Sequence, residues 1–304
     1  MKIRLILSFV LASVIALSQN SRIQKNDFPS GRYFLTSFTI GDTAFVGLGS
    51  NDMMGLTYSS EWFRYDPEND SWDSLNDFPG GGRYAPTTFV VNNQAYLCFG
   101  VDDTHTWLSE VWKYSQTTDT WERKADFPGG PRYHAASFVI DSMAYIMGGS
   151  YNNGWDYLND TWQYNPTTDN WSQILDIPEV PRTAAVSFVV NNIAFVGTGT
   201  DYFETFKTFW CYDPVTLTWN PSAFLPSDGS HRYGSTAFVI NNEAFLIAGR
   251  PGMYPEPCTL LSDVWSYAIS TDIQKIRIQE FRVYPNPTSD FIHIILNRNT
   301  DGNC

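Results

Sequence analysis

Along most of this chain apolar residues alternate with small or polar ones in short runs, and the runs come in pairs. In residues 131–173, AASFVI and MAYIMGG flank Asp141-Ser142. A period of two marks half-buried strands, and two turn-prone residues between them mark a tight hairpin. Gly41-Asp42, Asn92-Asn93, Asn191-Asn192 and Asn241-Asn242 stand at the same place elsewhere, all tolerant of the positive φ such a turn requires. These runs predict strands A and B. A loop follows, then an aromatic, a spacer and a Tyr: Phe63 and Tyr65, Trp112 and Tyr114, Trp162 and Tyr164, Trp210 and Tyr212, Trp265 and Tyr267. This alternation predicts strand C. Seven residues beyond the Tyr, four copies carry Trp72, Trp121, Trp171 and Trp219, which predict strand D. Asp-Phe-Pro or a variant of it then ends the strand, as at Asp126-Phe127-Pro128.

The whole unit recurs. Arg32, Arg83, Arg132, Arg182 and Arg232 are each followed six residues later by Phe, twelve later by Ala and seventeen later by Gly, giving five copies. A period of roughly fifty residues marks units that cannot bury their apolar faces alone. Four antiparallel strands per unit, repeated round an axis, predict an all-β propeller of five four-stranded blades, with a short β segment after it.

These residues resemble the kelch repeat: an Arg before strand A, a Gly after strand B, and Trp and Tyr in strands C and D. The resemblance covers residues 22–272. It implies a propeller over 19–276, with repeats near 27–76, 77–125, 126–175, 176–222 and 223–272. The glycine doublet expected after strand B is intact at Gly148-Gly149, whereas Leu48, Phe99, Thr198 and Ala248 replace its first member elsewhere. The fifth copy lacks the strand D Trp. Residues 22–29 align with the strand D end of the second copy, so the N-terminal segment is expected to pair with the fifth blade and close the ring. Residues 273–278 are the rival for that edge, and an incomplete ring is the alternative.

The ends add processing signals. Residues 1–18 combine Lys2 and Arg4 with an apolar run from Leu5 to Leu17 and small residues at Ala16 and Ser18, the pattern of a secretory signal peptide and too short a run for a membrane span. Residues 281–304, beginning FRVYPNPTSDFIHIIL, resemble the start of the C-terminal sorting domain of the type IX secretion system of Bacteroidota, here in partial form. Export to the cell surface or beyond, with the type IX machinery as a partner of this segment, is what that implies. The chain carries 32 acidic against 19 basic residues, a net charge of −13, which disfavours nucleic acid and anionic membranes as partners.

Loops on a rigid frame concentrate binding residues, and the irregular B-to-C loops share one face of the disc with the Arg series. A residue common to every copy serves the frame more often than a ligand, although the Arg and Tyr ring would also suit an acidic or sugar ligand. Asymmetry is the better guide. Two positions after the Arg stand Phe34, Ala85, His134, Ala184 and Gly234, of which His134 alone titrates. The candidate ligand residues are therefore His134, Arg132, Tyr133, Trp107, Trp155, Tyr157, Tyr202 and Arg232. Further loop aromatics are Phe203, Phe206 and Tyr254, and such aromatics either meet a ligand or fold back on the blade. His105, His134 and His231 show no ligand spacing, and no metal or cofactor is expected. The expectation is a non-catalytic module for an extracellular protein or glycan. The kelch resemblance supplies the alternative, a sugar-active enzyme of the mutarotase (sialate epimerase-like) or galactose-oxidase-like kind, with Glu110, Glu204 or Glu256 available to pair with His134 or an Arg.

Overall fold

The alternating runs form the expected hairpins. A computed structural model describes residues 26–32, 34–50, 57–151, 156–201, 203–222, 231–240, 243–250 and 261–268. The expected signal peptide at 1–18, the closing segment at 19–25, its rival at 273–278 and the sorting segment at 281–304 lie outside the described residues.

The first blade comprises β1 (Thr36–Ile40), β2 (Thr43–Gly47), β3 (Trp62–Asp66) and β4 (Ser71–Ser74). In the second, β5 (Arg83–Tyr84) pairs with β8 (Val101–Asp102) above a sheet of β6 (Thr87–Val91), β7 (Gln94–Cys98), β9 (Val111–Ser115) and β10 (Thr120–Arg123). The third has β11 (Ala136–Ile140), β12 (Met143–Met147), β15 (Thr161–Asn165) and β16 (Asn170–Gln173), with β13 (Ser150–Tyr151) and β14 (Asp156–Tyr157) paired separately. The fourth has β17 (Val186–Val190), β18 (Ile193–Gly197), β19 (Phe209–Asp213) and β20 (Thr218–Ser222). A fifth, three-stranded sheet has β21 (Thr236–Ile240), β22 (Glu243–Gly249) and β23 (Leu261–Ala268). Within each blade sheet the pairing is antiparallel and runs in A-to-D order, the order of a propeller blade. The A-to-B turns at Asn92-Asn93 (52° and 58°), Asp141-Ser142 and Asn191-Asn192 have two positive-φ residues, so they twist with the strands they join, while in the first blade Gly41 alone has positive φ.

Packing between blades explains two letters of the repeat. The Phe of strand A lies against the Ala of strand B in the next blade: Phe38 and Ala95 share one cluster, and Phe89 and Ala144 the next. Phe138 packs in the same cluster as Ala194, and Phe188 in that of Ala244. Ala95, Ala144, Ala194 and Ala244 are fully enclosed because an aromatic ring occupies the space a larger side chain would need. The Asp-Phe-Pro segment clips the outer strands similarly. Phe78 packs edge-on against Trp112 and Trp121 of the second blade, and Phe127 against Trp162 and Trp171 of the third.

The segment before the first Arg imitates such a strand end. Phe28 packs on Phe63 and Trp72, and the Asn26 amide donates to Asp70 at 3.1 Å as Asn76 donates to Asp119 at 2.8 Å. The innermost strands pack in the order β1, β6, β11, β17, β21. Among the described residues no packing of comparable extent joins β21 to β1. Consistently, Ala44, Val46 and Tyr65 of the first blade are only half-buried, whereas Ala95, Leu97 and Tyr114 of the second are enclosed.

Phe138, 4% exposed, tests this packing. Phe138→Ala should cost about 3 to 5 kcal/mol in urea denaturation, whereas Val215→Ala on an exposed turn should shift stability by no more than about 0.5 kcal/mol.

Candidate functional site at the channel mouth

The Arg side chains are consumed inside the blades. Arg83, Arg132, Arg182 and Arg232 are completely enclosed. Arg132 donates to the carbonyls of Gly148 and Gly129 at 2.9 and 2.7 Å and grips both oxygens of Asp160 at 2.7 and 2.8 Å. Arg83 donates to the carbonyls of Phe99 and Gly80 and to one oxygen of Glu110. The Asp160 carboxylate accepts the Trp162 indole as well, and Glu110 that of Trp112. This corrects the placement of Arg132 and Arg232 among ligand residues: both side chains are fully enclosed, so they frame the site and do not face it. Glu110 is withdrawn likewise. Burial raises its pKa, but the Trp112 and Arg83 hydrogen bonds outweigh that and hold the carboxyl below its usual range.

Two residues beyond each Arg the chain turns left-handed, at Phe34, Ala85, His134, Ala184 and Gly234 (φ 53°, 48°, 53°, 51° and 62°). Each amide donates to the carbonyl of its counterpart one blade back: Ala85 to Phe34, His134 to Ala85, Ala184 to His134 and Gly234 to Ala184, at 3.1 to 3.3 Å. The result is an arc of backbone around the channel mouth whose five positions carry a Phe, two alanines, a His and a Gly.

His134 stands at the middle of this arc inside a cluster of rings. Phe34, Tyr133 and Tyr84 lie 4.7, 4.9 and 5.9 Å from its ring centroid. Tyr58 extends the cluster from Tyr84 to His105 at 5.3 and 5.7 Å. Part of the His134 side chain meets solvent, but Nε2 is sealed and has no hydrogen-bond partner among the described residues. Burial pushes its pKa down to about 4, so at neutral pH the imidazole is uncharged, with one nitrogen able to donate and one to accept.

Above the arc each described blade adds a short rim ladder. Tyr84 pairs with Val101, Tyr133 with Ser150, Thr183 with Thr200 and Tyr233 with Arg250. The returning loop adds Tyr58 to Ser50, Trp107 to Val101, Tyr157 to Ser150 and Thr205 to Thr200. Trp107 and Tyr157 are thus rim residues equivalent to Tyr58. Trp155, Tyr202, Tyr254 and Glu256 lie outside the described residues. Phe206 folds back over Arg182, with the guanidinium 4.8 Å from its ring centroid, and so is a frame residue. Phe203 projects from a turn whose amides are held by Asp201 at 2.7 and 2.6 Å, the turn to which Glu204 belongs.

Beneath the mouth is a cavity of about 350 Å³ walled by strand A hydroxyls. Those hydroxyls tie neighbouring blades: Thr88 donates to the Ser37 carbonyl at 2.9 Å, Ser137 to that of Thr88 at 2.8 Å, and Ser187 to that of Ser137. Among the described residues no cluster of His, Cys, Asp and Glu could hold a metal ion.

The repeat alignment singled out His134 and Tyr133 but not Tyr58, His105 or Arg250. Tyr58 and His105 sit in loops of unequal length, where alignment has no register. Arg250 follows the last repeat Gly directly, a position also held by Ser50, Val101, Ser150 and Thr200, and the charge there was the available signal.

Comparison with known proteins agrees with this architecture. The pattern of the KLHDC2/KLHL20/DRC7 Kelch-repeats domain matches residues 123–249, and the Kelch motif matches residues 82–128. The chain is a kelch-repeat protein. The solved structure of YjhT superposes on this kelch propeller with a TM-score of 0.68 at 16% identity, over 80% of this chain and 83% of that one, a likeness of fold. Among curated proteins, the N-acetylneuraminate epimerase of Pasteurella multocida (strain Pm70) is 36% identical over 81 residues, 27% of this chain. The chain spans only 20% of that relative's length in the match. Since the relative is named as an enzyme, the expectation of a module without catalysis is corrected.

The sealed imidazole makes stability depend on pH. An unfolded His takes up a proton near pH 6.5, whereas His134 in the fold does so only near 4. The unfolded state therefore binds more protons between these values, and stability should fall as pH drops from about 6.5 to about 4. Thermal melts of His134→Gln should show a shallower decline across that window; a slope equal to that of the wild type would count against the burial of this ring.

Proposed function

We propose that this kelch propeller is a sugar-active enzyme that inverts the anomeric centre of a pyranose at the channel mouth, with His134 moving the proton. The observation that carries the reading is the uncharged His134 imidazole set among Phe34, Tyr84 and Tyr133. The similarity to a protein named N-acetylneuraminate epimerase supports the substrate class.

The chemistry requires little. A base takes the proton of the anomeric hydroxyl while the bond from that carbon to the ring oxygen breaks, and the ring oxygen gains a proton. The open-chain carbonyl rotates and closes on its other face. With Nε2 sealed, the neutral imidazole meets the sugar on its partly exposed side and accepts the anomeric proton there, solvent at the mouth supplies the proton of the ring oxygen, and the low pKa keeps the acceptor available at neutral pH. Flat aromatic faces suit the apolar face of a sugar ring. We place this activity outside the cell, in keeping with the signal-like residues 1–18 and the sorting-like residues 281–304.

Anomer exchange of N-acetylneuraminate, followed by NMR, tests the reading. The wild-type protein should speed equilibration, and His134→Gln should lose roughly a hundredfold or more of that gain. Equilibration at the uncatalysed rate with folded wild-type protein would overturn it.

A further inference from the structure

The channel below the mouth is polar without being charged. The residues that line its cavity come from the inner strands of all five sheets, and every one of them is among the described residues. Along these strands Phe89, Phe138 and Phe188 are buried between blades, while Thr88, Ser137 and Ser187, the residues before them, are half-buried and border the cavity. Two residues further on the same strand face, Val90, Val139 and Val189 do not line it and pack against the blade cores. The cavity of about 350 Å³ therefore ends where hydroxyls give way to valines, and it begins directly under the arc, since its lining residues Ala135 and Ala185 follow His134 and Ala184. That volume lies at the lower end of ligand pockets, roughly 300 to 1,000 Å³.

No Asp, Glu, Lys, Arg or His is among the lining residues. The hydroxyls around the cavity have directed bonds. Ser137 gives its proton to the Thr88 carbonyl at 2.8 Å, Ser187 gives its own to the Ser137 carbonyl, and Thr87 donates to the carbonyl of Ala135 at 2.9 Å. A hydroxyl has one proton and two lone pairs, so these oxygens remain acceptors towards the cavity. Donors come from the backbone. Each inner strand is the edge of its sheet, and in an antiparallel pair alternate amides and carbonyls point away from the partner strand. Such a wall matches alcohol groups, each of which both donates and accepts, and it offers no counter-charge to an ionic group and little to an apolar one.

We propose that this chamber binds the polyhydroxy side chain of a sugar whose ring lies at His134, and so selects sugars that carry such a chain. This rests on the mouth being a sugar site, but not on catalysis there. In N-acetylneuraminate a three-carbon chain with three hydroxyls is attached to the ring carbon next to the ring oxygen, two bonds from the anomeric carbon. An anomeric hydroxyl at His134 therefore leaves the chain close to Ser137, three residues further along and inside the channel. Ser137 and Ser187 are specificity residues in this account and take no part in proton transfer.

Calorimetry on the full chain tests this with two probes, N-acetylneuraminate and the analogue whose three-carbon chain is cut back to a hydroxymethyl group. The wild-type protein should bind the intact sugar about tenfold or more tighter than the shortened one, which lacks two alcohol groups and their hydrogen bonds. Ser187→Ala should reduce that preference severalfold and leave affinity for the shortened sugar unchanged. Ser137→Leu, which fills the cavity, should erase the preference; where it does not fold, Ser187→Ala with the same probes decides. Equal affinity for the two sugars in folded wild type, an undiminished preference in either folded variant, or no binding of the intact sugar would overturn the proposal. Faster anomer exchange of both sugars without any preference between them would keep the proposed function and remove the chamber from it, whereas a preference without anomer exchange would keep the chamber and remove the catalytic reading.

Discussion

The fold depends on a buried guanidinium that holds a left-handed residue. In each of the first four blades the repeat Arg donates to the carbonyl sixteen residues on, at Leu48, Phe99, Gly148 and Thr198, and all four have positive φ, from 57° to 66°. Such a conformation is costly for residues other than Gly. The guanidinium and an acid at or near the start of strand C, or Glu179 in the fourth blade, satisfy the groups that this bend would otherwise bury unpaired. The bend delivers the following Gly against the next blade, where Gly100 donates to the Arg132 carbonyl and Gly149 to that of Arg182. One clasp therefore fixes the end of strand B and the approach of the neighbouring blade.

Much of this was legible because it repeats. The hairpins, the aromatic strand C, the Phe and Ala series and the role of Asp-Phe-Pro all follow from spacing. The loss of the glycine doublet at Leu48, Phe99 and Thr198 looked like a departure, yet the bend persists there with the clasp in place. Sequence could not show that the Tyr hydroxyls at Tyr65, Tyr114 and Tyr164 bond Asp70, Asp119 and Asp169, which in turn receive the amides of Asn26, Asn76 and Ala125. Nor could it bring Tyr58, Tyr84 and His105 together, because their contacts cross blades through loops that share no common length.

On the proposed reading, function follows the departures from the repeat. Identical backbone positions around the mouth carry a covering Phe, two alanines, a histidine and a glycine, and this irregularity sets the surroundings of His134. The frame can accept any of these residues because backbone hydrogen bonds hold the arc whatever the side chain. The same arc therefore holds different side chains on one backbone course.

The central claim is that the Arg series builds the frame while the arc beyond it meets the ligand. A double-mutant cycle between Arg132→Gln and Asp160→Asn, with stability and sugar affinity measured on the same samples, tests it most directly. The account predicts a coupling energy of roughly 1 to 3 kcal/mol in stability and unchanged affinity in every variant that stays folded. Negligible coupling together with lost affinity on removal of Arg132 would put the guanidinium in the site and contradict the account.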